Sequence, residues 1–299
     1  MTTPILIDCD PGHDDAIALL LALASPEVEL LGVTTVAGNQ TLAKTTANAI
    51  RVLELVGRGD VAVAAGADRP LVREPFVAAY VHGESGLDGP ELPPPGAHPV
   101  AQDAVDFLAE RLVPGVVLVA VGPLTNVAQL LEHGARPERI VVMGGSIGLG
   151  NVTPAAEFNV WADPEAADHV FRSGLDVTMV GLDVTHKALV RADRFRDLGR
   201  VGRVVAEWLD FFSTFHRDTY GFDGSPIHDA LALAHVIRPG LLETVDRHVA
   251  VEVESELCRG RTVVDLYRRT GQPPNAHVAV DVDAAAFVDL LVERVASLR

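Results

Sequence analysis

Short apolar runs separated by stretches of helical periodicity recur along the chain, and this alternation restricts the fold more than any other feature. Residues 4–9, 28–36, 61–65, 116–121, 140–143 and 177–182 are strand-like. Between them, residues 14–24, 39–56, 100–112, 124–133 and 164–171 carry apolar side chains at helical spacing. Strand–helix–strand repetition predicts an α/β fold, an open and mostly parallel sheet with helices on both faces and a Rossmann-like core. Residues 201–220 read as a further helix, followed by a Gly221-Phe222-Asp223-Gly224 break and a helix over 228–237. Residues 249–280 form a late β-rich segment, and 283–298 a closing helix. No linker or internal repeat interrupts residues 1–299, so a single domain is expected.

Charge and cysteine content narrow the class. The chain has 41 acidic and 24 basic side chains, a formal net charge of −17. Nucleic-acid binding needs a basic surface to neutralise phosphates, and docking on anionic lipid needs the same, so neither partner is expected. Apolar residues make up 48% of the chain, enough for a substantial core and against disorder. Cys9 and Cys258 lie in separate apolar, strand-like runs, which leaves no disulfide framework and no cysteine-based zinc spacing. The early sequence lacks the basic start and unbroken apolar stretch of a signal peptide, and residues 16–24 are too few to span a bilayer. A cytoplasmic protein is expected.

Two long connections stand out. Residues 69–99 contain seven prolines, and residues 144–163 are rich in Gly and Asn. Connections of that length are usually functional or mobile.

The densest chemistry is at the end of the first strand, Asp8-Cys9-Asp10-Pro11-Gly12-His13-Asp14-Asp15, where four acids fall within eight residues. One acid there, Asp14 as an N-cap, would satisfy a helix dipole. Four require compensation by a cation or a hydroxyl-rich ligand, and oxygen-only donors suit Ca²⁺ or Mg²⁺ rather than Zn²⁺. Ligands of open α/β sheets bind beyond the carboxyl ends of the strands, where these acids sit.

The run Asp-x-Asp-Pro-Gly-x-Asp-Asp-Ala resembles the signature of the inosine/uridine-preferring nucleoside hydrolases. Other segments resemble that family in its order along the chain. They are Gly38-Asn39, His82-Gly83 with Gly86-Leu87, Gly122-Pro123-Leu124-Thr125-Asn126, Met143-Gly144-Gly145, Gly150-Asn151, Glu157-Phe158-Asn159 and His228-Asp229-Ala230. The resemblance implies Ca²⁺-dependent hydrolysis of the N-glycosidic bond of ribonucleosides, purine or pyrimidine, in nucleoside salvage. It implies one Ca²⁺ per subunit, held by Asp10, Asp15, the main-chain carbonyl of Val121, and Asp229. It implies a homodimer or homotetramer. Asp10 would take the proton of the attacking water, and His228 would act as acid toward the leaving base. Asp14, Asn39, Asn151, Glu157 and Asn159 would bind ribose hydroxyls, Met143 and Phe158 would pack on the sugar, and His82 would contact substrate from its loop. Residues His216, Arg217, Tyr220 and Phe222 would form a second lid over the base. The base preference itself is left open.

Competing readings are weaker. Gly144-Gly145-Ser146-Ile147-Gly148 satisfies the G-x-S-x-G pattern of serine hydrolases, but the Gly-Asn-Val-Thr-Pro stretch after it does not continue a helix, as that elbow requires. A D-x-D phosphatase using Asp8 and Asp10 would need a cation for phosphate, and lysine occurs only at Lys44 and Lys187. A silent nucleoside-binding protein would be expected to lack some of Asp10, Asp14, Asp15, Asn159, His228 and Asp229, and all are present.

Overall fold

The computed structural model describes residues Thr2–Leu298. Its strands are β1 (Thr3–Cys9), β2 (Val28–Thr35), β3 (Val63–Ala65), β4 (Val117–Ala120), β5 (Arg139–Met143), β6 (Asp176–Val180), β7 (Leu189–Val190), β8 (Ser225–Pro226), β9 (Leu242–Arg247), β10 (Val249–Val251), β11 (Thr262–Val264) and β12 (Ala276–Val282). Its α-helices are α1 (His13–Ala24), α2 (Leu42–Leu55), α3 (Ala79–His82), α4 (Ala104–Arg111), α5 (Thr125–His133), α6 (Phe158–Ala162), α7 (Pro164–Arg172), α8 (Leu182–Thr185), α9 (Gly199–Tyr220), α10 (His228–Ile237) and α11 (Ala284–Ser297). Eight strands form one sheet in the order β3-β2-β1-β4-β5-β6-β12-β9. All neighbours are parallel except the edge pair β12–β9. The expected mostly parallel α/β sheet is therefore present.

Side-chain alternation along the strands feeds two cores. Ile5, Ile7, Cys9, Val119 and Val121 face the layer that includes α1, α2, α9, α10 and α11. Leu6, Leu118, Ala120, Ile140 and Val142 face the layer of α4, α5 and α7. Residues two apart on a strand share a face, so each of these strands is apolar on both sides, as a sheet covered by helices requires. No helix among the described residues is long and apolar enough to cross a membrane.

Several expected boundaries move, each for a local reason. Helix α2 begins at Leu42 rather than at 39, because Asn39 is spent on the acids after β1. Helix α4 begins at Ala104 rather than at 100, where the Asp103 carboxylate accepts from Asp106 N. The N-cap of α1 is Gly12, not Asp14; Asp15, one turn in, accepts from Gly12 N at 3.0 Å. Short helices occupy both long connections, α3 in the first and α6 in the second. Cys258 lies in the turn between β10 and β11 rather than in a strand. Of the late β-rich segment only β12 joins the main sheet, beside β9, which precedes the segment, while β10 and β11 form a separate hairpin.

The chain order reverses between β1 and β4, which are neighbours in the sheet. At such a switch point the loops leaving the two strands part and open a crevice. Asp10 follows β1 and Val121 follows β4, so the acidic run and the Val121 carbonyl meet there by topology.

Candidate active site

Two acids of the first motif have different fates. Asp8 turns to the face away from α1 and is bound into the scaffold. Its Oδ1 accepts from Thr34 Oγ1 at 2.6 Å and from Asn126 Nδ2 at 2.7 Å. Asn126 also donates to Thr35 O and accepts from Ala67 N, so it fastens β1, β2 and the segment after β3 together. Its neighbour Thr125 donates to Asp163 Oδ2 at 2.7 Å. The Gly122–Asn126 segment is thus a brace beneath the site.

Asp10 and Asp15 are fully buried beneath the cavity that Asp14 and Asp229 line. Asn39 N donates to Asp10 Oδ2 at 2.7 Å, and Asp10 Oδ1 is buried with no partner. A Cβ at Gly122 would fall 2.6 Å from Asp10 Oδ1, and one at Gly38 would overlap Asp10 Oδ2, so both backbones must lack side chains to admit this carboxylate. Asp15 accepts from Asp10 N, Gly12 N and Asn39 Nδ2, all at 3.0 Å. Asn39 therefore holds two of the acids in place. Asp229, in the first turn of α10, completes the group: one oxygen each of Asp14, Asp15 and Asp229 lie within 4.8 Å of one another.

Among the described residues, no lysine or arginine lines this pocket. Burial holds Asp10, Asp14 and Asp229 well above the usual carboxylate range, and the charge of Asp15 adds to the effect on Asp10 and Asp14. Burial raises Asp15 as well, opposed by the N–H groups of Gly12 and Asp10. The donors are all oxygen, one carboxylate oxygen is orphaned, and the nearby charges are all negative. That set fits a hard divalent cation.

Across the pocket, Asn159 on α6 donates from Nδ2 to Val121 O at 2.8 Å and to Met143 O at 3.2 Å. Glu157 caps the same helix. It accepts from Asn159 N and Gly145 N at 2.8 Å and from Val160 N at 3.2 Å. Burial lifts its pKa to about 7 against the pull of these donors. Asn151 accepts from Phe158 N at 2.9 Å. Asn151, Glu157, Phe158, Asn159, Met143 and Val121 line one side of the cavity with Asp14, Asn39 and Asp229.

The opposite side is aromatic: Tyr80, His82, His186, Phe212, Phe215, His216, Tyr220 and His228. The Nδ1 of His228 lies 2.7 Å from Thr185 Oγ1. Burial drives the His228 pKa well below its usual value, helped by the neighbouring imidazoles, first His186. Of the expected second lid, His216 and Tyr220 reach the cavity, and Phe222 stacks on Tyr220 from behind at 5.1 Å between ring centroids. Arg217 does not; its guanidinium is exposed and pairs with Asp218. Sequence reasoning missed Tyr80, Thr185, His186, Phe212 and Phe215. For Thr185 and His186 a signal existed, since they follow the carboxyl end of β6.

Ser146 of the G-x-S-x-G run has no hydrogen-bond partner for its buried Oγ, and its main chain is tied at both N–H and C=O to Thr262 Oγ1. No helix follows it directly, so it is no nucleophile elbow.

The fold and the pocket define a class: an α/β protein with a buried carboxylate centre at its topological switch point, facing polar groups on one side and rings on the other. Comparison with known proteins makes this specific. The family model described as inosine-uridine preferring nucleoside hydrolase matches residues 5–289, and the chain belongs to that family. A pyrimidine-specific ribonucleoside hydrolase RihA of Salmonella paratyphi C (strain RKS4594) is 54% identical over 98% of each chain. The protein of the same name in Citrobacter koseri is 53% identical over 99% of each. Among solved structures, the plant nucleoside hydrolase PpNRh1 superposes with a TM-score of 0.92 at 33% identity, over 99% of this chain and 100% of that one. A purine-preferring ribonucleoside hydrolase from Gardnerella vaginalis does so with a TM-score of 0.92 at 34% identity, over 99% and 98%. The chain is a ribonucleoside hydrolase, an N-glycosidase.

Proposed function

We propose that this enzyme hydrolyses pyrimidine ribonucleosides, uridine and cytidine, to free base and ribose, with one Ca²⁺ per subunit. The observation that carries the reading is the buried acid cluster Asp10, Asp14, Asp15 and Asp229 with no basic side chain lining its pocket. The pyrimidine preference is supported by the printed specificity of the RihA relatives, which share over half of this sequence.

Asp10, Asp15, Asp229 and the carbonyl of Val121 would hold the cation, whose charge acidifies water and attracts the vicinal hydroxyls of ribose. Asp10 takes the proton of the attacking water on Oδ1, its oxygen without a partner. Asp14 and Asn39 bind ribose hydroxyls beside the cation, and Asn151, Glu157 and Asn159 bind the rest of the sugar. Met143 and Phe158 pack on its carbon face. Carboxylates around the ring favour the oxocarbenium-like positive charge that develops as the glycosidic bond breaks. His228 acts on the base as it leaves; burial lowers its pKa, so its charged form is a strong acid but is scarce near neutral pH. His82 faces the base from the first loop.

A kinetic panel of uridine, cytidine, inosine and adenosine, each with added Ca²⁺ and with chelator, tests the reading. Uridine and cytidine should lead in kcat/KM, and chelation should abolish turnover. Preference for inosine would overturn the base assignment, and full turnover by protein shown to be metal-free would overturn the cation.

A further inference from the structure

The β10–β11 hairpin stands outside the eight-stranded sheet, and the reaction outlined above makes no use of it. It packs on α7 and touches both long connections. Arg73 of the first connection donates to Val253 O at 2.8 Å. In the second, Arg259 lies over the Trp161 ring, its guanidinium carbon 4.8 Å from the ring centroid. A Cβ at Gly260 would stand 2.5 Å from Trp161 Cα. The firmest tie is Thr262, buried on β11. Ser146 N donates to its Oγ1 at 2.8 Å, and the same Oγ1 donates to Ser146 O at 2.6 Å. We infer that Thr262 is a positioning residue for sugar binding: by clamping Ser146 it keeps Gly145 N aimed at the Glu157 carboxylate.

The partners fix the hydrogen of this clamp. A main-chain N–H only donates and a carbonyl only accepts, so the single hydroxyl hydrogen points to Ser146 O. Valine has the shape of threonine without the hydroxyl, and in its place both main-chain groups of Ser146 would be left unpaired. Gly145, one residue earlier, has a φ of 73°, and a Cβ there would stand 2.7 Å from Thr262 Cγ2. The backbone thus runs directly against the threonine. Gly145 O accepts from Leu182 N at 3.0 Å, and Gly145 N donates to Glu157 Oε2 at 2.8 Å. The amides of Asn159 and Val160, which also donate to Glu157, belong to the helix that Glu157 caps. Gly145 is, among the described residues, the donor outside α6 that fixes this carboxylate relative to the sheet. A carboxylate oxygen accepts more than one hydrogen, so a sugar hydroxyl can still donate to Glu157. With the vicinal hydroxyls taken up by Asp14, Asn39 and the cation, the one left for Glu157 is the 5′-hydroxyl.

This inference rests on the sugar-binding role proposed for Glu157, and the test separates the two. On the Ca²⁺-loaded enzyme, Thr262→Val should lower uridine kcat/KM by about tenfold to a hundredfold, the scale of a group displaced by up to an ångström, while 5′-deoxyuridine stays within about threefold. Thr262→Ser keeps the hydroxyl and should stay near the parent on both. Inosine and 5′-deoxyinosine give the same comparison, so base preference does not enter. Equal losses on the two substrates, or a serine variant as poor as the valine one, would overturn the inference and leave Thr262 a packing residue. Amide hydrogen exchange over residues 144–147, followed by mass spectrometry, needs no substrate. It should be slow in the parent and in Thr262→Ser, and at least about tenfold faster in Thr262→Val. Free exchange there in the parent would overturn the clamp without any variant. Glu157→Ala separates the two roles. If it leaves the preference for uridine over 5′-deoxyuridine intact, the role given to Glu157 fails and the inference falls with it. If it removes that preference and Thr262→Val does not, the inference alone fails.

Discussion

Removing the cation should destabilise the protein, and pH should set by how much. One oxygen each of Asp14, Asp15 and Asp229 lie within 4.8 Å of one another. At that separation and an effective dielectric constant of about 20, each like-charged pair repels by roughly 3 to 4 kcal/mol. Three pairs come to roughly 10 kcal/mol, comparable with the whole stability of a domain. The fully ionised cluster therefore takes up either a cation or protons. All four acids, Asp10 included, have pKa values raised chiefly by burial. A carboxyl raised in the folded state does not oppose folding below its unfolded value near 4, and opposes it increasingly as pH climbs toward the folded value. The metal-free protein is thus penalised more at pH 7.5 than at pH 5.5, and Ca²⁺ should bind more tightly at the higher pH while displacing protons. At a hundred times its dissociation constant Ca²⁺ adds about 2.7 kcal/mol. With about 2.1 cal/mol/K of unfolding entropy per residue, 299 residues give roughly 630 cal/mol/K, so Tm should rise by roughly 4 °C. Thermal unfolding of chelator-treated and Ca²⁺-loaded protein at both pH values measures this. Titration calorimetry in two buffers of different ionisation enthalpy counts the protons released. A Tm at pH 7.5 that Ca²⁺ does not move, or a gain larger at pH 5.5, would refute the reasoning.

Three further outcomes follow from the site. Asp10→Asn should lower kcat by at least about a hundredfold, the low end for removing a general base, with KM changed far less; steady-state kinetics showing kcat within tenfold of the parent would place the base elsewhere. Uridine should exceed 2′-deoxyuridine in kcat/KM by about ten-thousandfold, because a site built around a hydroxyl leaves buried polar groups unpaired without it; comparable values would remove Asp14 and the cation from ribose binding. His228→Ala should cost uridine about a hundredfold or more and p-nitrophenyl riboside, whose leaving group needs no proton, far less; equal losses in parallel assays would make His228 a residue that only positions the sugar.

What the sequence made legible was chemistry concentrated at strand ends. Four acids between an apolar run and a helix have few structural explanations, and the sheet that puts them beside Val121 follows from the strand–helix alternation. Asp8 was legible only as a member of that run. Its separation into a brace depends on Asn126, 118 residues away, and on strand pleating that turns neighbouring side chains to opposite faces. Helices of four and five residues such as α3 and α6 have no period to read, so Glu157 and Asn159 passed for loop residues. The ring-lined wall was least visible. Phe212 and Phe215 sit on α9, whose apolar stripe is the same signal that any packed helix gives.

The two sides of the pocket are held in different ways, and this bears on how specificity is set. On the acid and sugar side, the polar groups are tied to backbone: Asn39 to Asp10 and Asp15, Asn159 to the Val121 and Met143 carbonyls, Glu157 to three amides and Asn151 to a fourth. Replacing one of these breaks the scaffold along with the site, so the chemistry proposed on ribose and cation is locked to the fold. On the ring side, His82 is held by the main-chain N–H and ring Nδ1 of His13, His228 by Thr185 Oγ1, and His216 by one carbonyl of its own helix, Phe212 O at 2.9 Å. Phe215 meets Tyr80 and Tyr220 edge to face, at 5.8 and 6.1 Å between ring centroids. Exchanging one such ring alters the space for the base and leaves β1, β4 and the acid cluster where they are. The fold can therefore keep one glycosidic reaction while the base it accepts changes. Structures alike to a TM-score of 0.92 carry a purine-preferring name in one case, while relatives at 54% identity carry a pyrimidine-specific one.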